Sequence, residues 1–110
     1  MKTLVFFITL LIPMLGVSNQ DKTEFKVYGA CEMCKARIEK AAKSVHGVHA
    51  ADWDMKTQML TLDYDTQKVD LDDVHQKIAD AGHDTEKVRA SDETYQSLPA
   101  CCKYKRPKEE

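Results

Sequence analysis

Cys31-Glu32-Met33-Cys34 is the first place in this chain where residue types and spacing point to chemistry. Two residues between the cysteines let both sulfurs converge on one ion. Two soft thiolates without a carboxylate cage favour Cu(I), Zn(II) or another thiophilic metal over Mg or Ca. The same spacing serves thiol redox centres, so the pair by itself leaves metal binding and disulfide exchange both open. The pair stands between a segment that alternates apolar and polar residues and one whose apolar residues recur every three or four. A thiolate at that junction meets the unpaired N–H groups and the positive end of a helix macrodipole, which lower its pKa.

Cys101 and Cys102 are the other two of the four cysteines. Adjacent cysteines hardly bridge each other without strain. They can fold back and offer one or two more thiolates to the same ion, pair with Cys31 or Cys34 in an oxidising compartment, or hold a metal between two molecules. They can also form a disulfide that staples a small secreted domain. Four cysteines allow three connectivities, and all these readings stay open here.

The elements that must position these residues are legible in the apolar pattern. From Thr23, Phe25 and Val27 alternate with Glu24 and Lys26, which predicts a half-buried strand. Ile38, Ala41, Ala42 and Val45 make the stripe of an amphipathic helix over residues 32–44, with Gly47 just past its end. Residues 48–55 and 59–64 read as a hairpin through Lys56-Thr57-Gln58. Asp70 is placed to cap a second helix, whose stripe is Leu71, Val74, Ile78 and Ala81 and whose stop is Gly82. Residues 85–89 give a last short strand around Val88. The order is βαββαβ, an α+β ferredoxin-like fold with a four-stranded antiparallel sheet and two helices on one face.

Residues 4–17 are an apolar run behind Lys2, broken by Pro13 and Gly16, and a cut after Ser18 suits a signal peptidase. The run is too short to be a spanning helix. The expected organisation is therefore a cleaved signal peptide at 1–18, a domain at 23–90 and a tail at 91–110 that opens on a polar spacer at 91–94. The mature protein is expected in the periplasm or secreted, and not membrane-embedded. A chain of 110 residues leaves no room for a multidomain enzyme, and a formal net charge of −2 excludes a basic nucleic-acid binder.

Tyr28-Gly29-Ala30-Cys31-Glu32-Met33-Cys34-Lys35-Ala36-Arg37-Ile38-Glu39 resembles the metal loop and first helix of heavy-metal-associated domains. That family includes small copper chaperones, the N-terminal modules of copper-transporting P-type ATPases, and periplasmic mercury-binding proteins. The resemblance runs over residues 24–89, with Val45-His46-Gly47-Val48, Leu62-Asp63-Tyr64-Asp65 and Ile78-Ala79-Asp80-Ala81-Gly82-His83-Asp84 in fitting places. It implies an exported carrier of a soft metal, foremost Cu(I), bound by Cys31 and Cys34. The ion would pass to a metal-transporting ATPase or other cuproprotein domain by ligand exchange. No bond to carbon changes, so the expectation is not an enzyme. The resemblance also puts His83 near the metal loop, as a third ligand or a hydrogen-bond partner of a thiolate. Tyr28-Gly29-Ala30 departs from the family's Gly-Met-Thr or Gly-Met-His, which bears on metal selectivity.

Three alternatives remain: a periplasmic Hg(II)-binding protein on the same thiolates, a thiol–disulfide oxidoreductase, and a structural Zn(II) module of all four cysteines. Against the second, no proline lies between Gln20 and Leu98 to face an active disulfide. Against the third, adjacent cysteines are not the second CxxC of a zinc ribbon. Lys35, Arg37, Lys40 and Lys43 form a basic rim suited to docking on an acidic partner domain, or a solvated helix face. A monomer or a metal-bridged dimer is expected. His46, His49 and His75 read as surface residues, Trp53 and Tyr64 as core or sheet-face residues, and Met33 as exposed.

Overall fold

The computed structural model describes residues 19–108, so the signal segment expected at 1–18 lies outside the described residues. The chain forms β1 (Gln20–Lys26), α1 (Glu32–Lys43), β2 (Val48–Trp53), β3 (Met59–Asp65), α2 (Leu71–Asp80), α3 (Asp92–Gln96) and a 3-10 turn (Ala100–Cys102). The strands make an antiparallel sheet in the order β1-β3-β2. Alternation puts Phe25 of β1, Leu60, Leu62 and Tyr64 of β3 and Trp53 of β2 into one core, with Ile38 and Ala42 from α1 and Val74 and Ile78 from α2. The cap at α2 forms as its composition predicts: the Asp70 carboxylate accepts the Asp72 N–H at 3.0 Å.

The expected fourth strand is reduced to a single bridge. Asp84 and Glu86 do lie along β1: the Tyr28 N–H donates to the Asp84 carbonyl at 2.9 Å, and the Glu86 N–H to the Lys26 carbonyl at 3.1 Å. Val27 and Thr85 form the bridge between them. The chain then curls, because the Thr85 hydroxyl accepts the N–H groups of Lys87 and Val88 and the Thr85 N–H donates to the Val88 carbonyl. A side chain that captures the next backbone donors offers them an alternative to the ladder. The sheet therefore has three strands among the described residues.

The tail is built into the same core. Ser91, in the expected polar spacer, caps α3 by accepting the Thr94 N–H. Leu98, Cys102 and Tyr104 are buried with the sheet and helix residues. Gly82, at φ +103°, makes this possible: a Cβ there would lie 2.9 Å from Leu98 and 3.0 Å from the Thr94 carbonyl oxygen. His75 is also buried, contrary to its expected surface place. Its ring lies on Phe25 with centroids 3.9 Å apart, and its Nδ1 is 2.7 Å from the Thr85 hydroxyl.

A candidate metal centre of four cysteines

The loop from Val27 to α1 is positioned by Trp53. Its indole N–H donates to the Val27 carbonyl at 2.9 Å, and a Cβ on Gly29 would sit 2.9 Å from the indole ring and 3.2 Å from Cys34 Cβ. Gly29 is thus required by close approach. The Gln58 amide donates to the Gly29 carbonyl and fixes the other side of the loop. Cys31 is the N-cap of α1, with extended backbone angles, and Cys34 lies in its first turn. Their sulfurs are 3.4 Å apart. The Ala30 N–H points at the Cys34 sulfur from 3.5 Å.

The tail delivers the other pair to the same point. Cys101 Sγ is 3.2 Å and Cys102 Sγ 3.6 Å from Cys31 Sγ, and the two tail sulfurs are 4.0 Å apart. All four thiols are free. Cys34 and Cys102 are fully buried, Cys31 half-buried and Cys101 exposed. Burial works to raise the Cys31 pKa, but the neighbouring Cys101 thiol, the Cys34 backbone N–H and the thiols of Cys34 and Cys102 favour its thiolate. The balance lowers Cys31 to about 7, while Cys101 is raised by its contact with the Cys31 sulfur and by burial, and Cys102 by burial and by its thiol neighbours.

Two contacts anchor the tail. The Tyr104 hydroxyl accepts the Asp84 N–H at 2.7 Å and donates to the Gly82 carbonyl at 2.8 Å. Arg106 grips Asp84 through two nitrogens at 2.8 and 2.9 Å and reaches Asp92 at 2.7 Å. Asp84 also accepts the Ala90 N–H. Burial pushes the Asp84 carboxyl up, but Arg106 and the Ala90 N–H outweigh it and hold it below the usual carboxylate range.

His83 is placed differently from the cysteines. It is fully buried, its Nδ1 donates to the Tyr28 carbonyl at 2.9 Å, and its ring stacks on Tyr104. That hydrogen bond leaves Nε2 as the bare nitrogen, buried and without a partner. Among the described residues, the ligand atoms that all lie within 4.8 Å of one another are those of Cys31, Cys101 and Cys102, and neither Cys34 nor His83 is in that set. Lys40 and Lys43 are exposed on α1. Lys35 is tied to Glu39 and Asp52 at 2.7 and 2.6 Å, and Arg37 donates to the Ala81 carbonyl at the end of α2. Met33 stands 50% exposed between the cysteines.

Residues 24–84 match the sequence model of the heavy-metal-associated domain. The chain belongs to that family. It is 29% identical over 55 residues to the copper chaperone CopZ of Staphylococcus haemolyticus, an alignment that spans half of this chain and 81% of the relative. A CopZ metallochaperone structure superposes with TM-score 0.57 at 29% identity, over 59% of this chain and 98% of the other. The N-terminal domain of a potential copper-translocating P-type ATPase from Bacillus subtilis, solved in its Cu(I)-loaded state, superposes with TM-score 0.57 at 25% identity, over 60% and 84%. The family match ends at residue 84, so the segment that carries Cys101 and Cys102 lies beyond it.

Proposed function

We propose that this heavy-metal-associated domain is an exported carrier of Cu(I). Its Cys31–Cys34 pair binds the ion and passes it to the thiolates of a transporter domain. The observation that carries the reading is the approach of the two sulfurs to 3.4 Å at the N-terminus of α1, in a domain whose relatives are named as copper chaperones and copper-translocating ATPase domains. The lowered pKa of Cys31 adds to it, since the thiolate and not the thiol is the ligand. Transfer proceeds by ligand exchange: an incoming thiolate binds the ion before one of the original thiolates leaves. No carbon bond is made or broken, so the reading assigns carriage and not catalysis. The exposed Lys40 and Lys43 supply the positive face for an acidic partner.

Anaerobic competition of the reduced full chain against a Cu(I) chelator tests this, with Zn(II) and Hg(II) titrated alongside. Cu(I) is expected to bind most tightly, and a Cys31→Ser/Cys34→Ser variant to lose it. A variant that held Cu(I) as tightly as the native chain would sink the assignment. Recovered from its own cell, the mature chain is expected to begin at Asn19, outside the cytoplasm.

A further inference from the structure

We infer that the tail completes the metal centre. Cys31, Cys101 and Cys102 form a three-thiolate site, with Cys34 as its fourth neighbour, that holds a soft ion at a higher coordination number than a CxxC pair provides. This rests on the copper-carrier reading above and assigns that site a ligand set reaching past the family match.

The geometry argues it first. With metal–sulfur bonds of about 2.3 Å, sulfurs round a trigonal or tetrahedral ion stand about 3.8–4.0 Å apart, and those across a linear ion about 4.6 Å. The triangle Cys31–Cys101–Cys102 has edges of 3.2, 3.6 and 4.0 Å, so a three-coordinate ion needs its shortest edge to open by about 0.6–0.8 Å, its next by about 0.2–0.4 Å, and its longest hardly at all. A linear ion on Cys31 and Cys34 alone would need their sulfurs to part by more than an ångström from 3.4 Å.

The second argument is the anchoring. A tail with no role at the site has no reason to spend a buried tyrosine, a bidentate arginine pair and a φ-positive glycine on placing two thiols. Tyr104 and Arg106 both act through the Gly82–Asp84 segment at the end of α2, and Cys102 is packed to zero exposure beside Cys31. Cys101 stays exposed, which leaves an entry for the ion and for an exchanging thiol. The third is position: the Cys31 sulfur lies 3.4, 3.2 and 3.6 Å from those of Cys34, Cys101 and Cys102, so it is the sulfur the two pairs share.

A partner's incoming thiolate therefore meets a coordination shell that is already filled. Cys101 occupies the place that the partner's sulfur would take, so release requires the tail thiols to step off. The site retains its metal until a partner displaces them.

The experiment is Cu(I) loading of the reduced full chain, read by X-ray absorption and by chelator competition. The native chain is expected to have three or more sulfurs at the copper, and Cys101→Ser/Cys102→Ser two, with affinity falling about 100-fold. Two sulfurs in the native chain overturn the inference without reference to any variant. So does a Cys101→Ser/Cys102→Ser chain that keeps native affinity while Cys31→Ser/Cys34→Ser loses it, an outcome that leaves the carrier reading standing. Because Cys102 is buried, Cys101→Ala is the second variant: its side chain is exposed, and it is expected to lower the sulfur number by one with unchanged circular dichroism.

Discussion

Cys31 and Cys34 are two residues apart and are held by the start of a helix, whereas Cys101 lies 70 residues beyond Cys31 and reaches it through contacts made at Tyr104 and Arg106. The spacing of the first pair is set by local backbone, the extended N-cap and the first helical turn, while Trp53 and Gln58 hold the loop from the hairpin. The second is organised by a long-range ion pair and a buried hydroxyl. Local organisation costs little chain entropy and survives the loss of distant contacts. The tail thiols stay in place only while the anchor holds. One centre thus has a permanent half and a conditional half.

That difference is open to attack at four points. The largest effect is expected at Asp84→Asn. It removes the buried charge partner of Arg106 and leaves it only the exposed Asp92, at a cost of about 3 kcal/mol. Thermal unfolding measures the loss, and hydrogen exchange should open residues 100–106 while α1 stays protected. Equal opening of both regions would erase the distinction. The same carboxylate sets a pH dependence. Its pKa is depressed on folding, so its contribution is present above the unfolded value of about 3.9 and is lost as pH falls through the folded one. The tail is expected to remain docked at pH 5 and to come loose below about pH 4, as followed by the reactivity of the Cys102 thiol.

Cys31→Ser comes next. Its sulfur touches the other three, so its removal is expected to weaken Cu(I) by about 100-fold or more, and further than Cys34→Ser does. If Cys34→Ser were the more damaging, the centre would be a simple pair. Tyr104→Phe removes the hydroxyl that bridges the Asp84 N–H and the Gly82 carbonyl. A loss of about 1–3 kcal/mol is expected by denaturant titration, with faster reaction of Cys102. Asp70→Ala is the smallest and serves as the control. It removes the α2 cap at about 1 kcal/mol and is expected to leave the sulfur number at the copper untouched.

The legibility of the chain follows the same division. The strand-helix-strand-strand-helix order, the Asp70 cap and the Cys31–Cys34 loop are written in residues close in sequence, and each appears where its pattern predicts. Glu32–Lys43 and Leu71–Asp80 match their apolar stripes within a residue or two. The fourth strand is lost because Thr85 can bond the next backbone donors, a competition that β-propensity around Val88 does not reveal. His75 is buried because the Thr85 hydroxyl and the Phe25 ring receive it, and neither is a neighbour in sequence. The convergence of the tail sulfurs on Cys31 stands among the open readings of the cysteine count. Arg106 and Tyr104, which bring it about, carry no local signal and sit in what reads as a charged end. Asp84 is the one hint, a carboxylate that needs a cation once it is buried.

Trp53 is the only tryptophan in the chain. Its ring is buried, and the space where a Cβ on Gly29 would stand is bounded by both the indole and Cys34 Cβ. An indole packed this close to Cys34 is a built-in optical reporter of the proposed centre. The ring is shielded from solvent, and charge arriving on the neighbouring sulfur is expected to shift its emission. Loading and unloading of the proposed centre are therefore expected to be visible in the unlabelled protein, and in real time, by the light that one side chain emits.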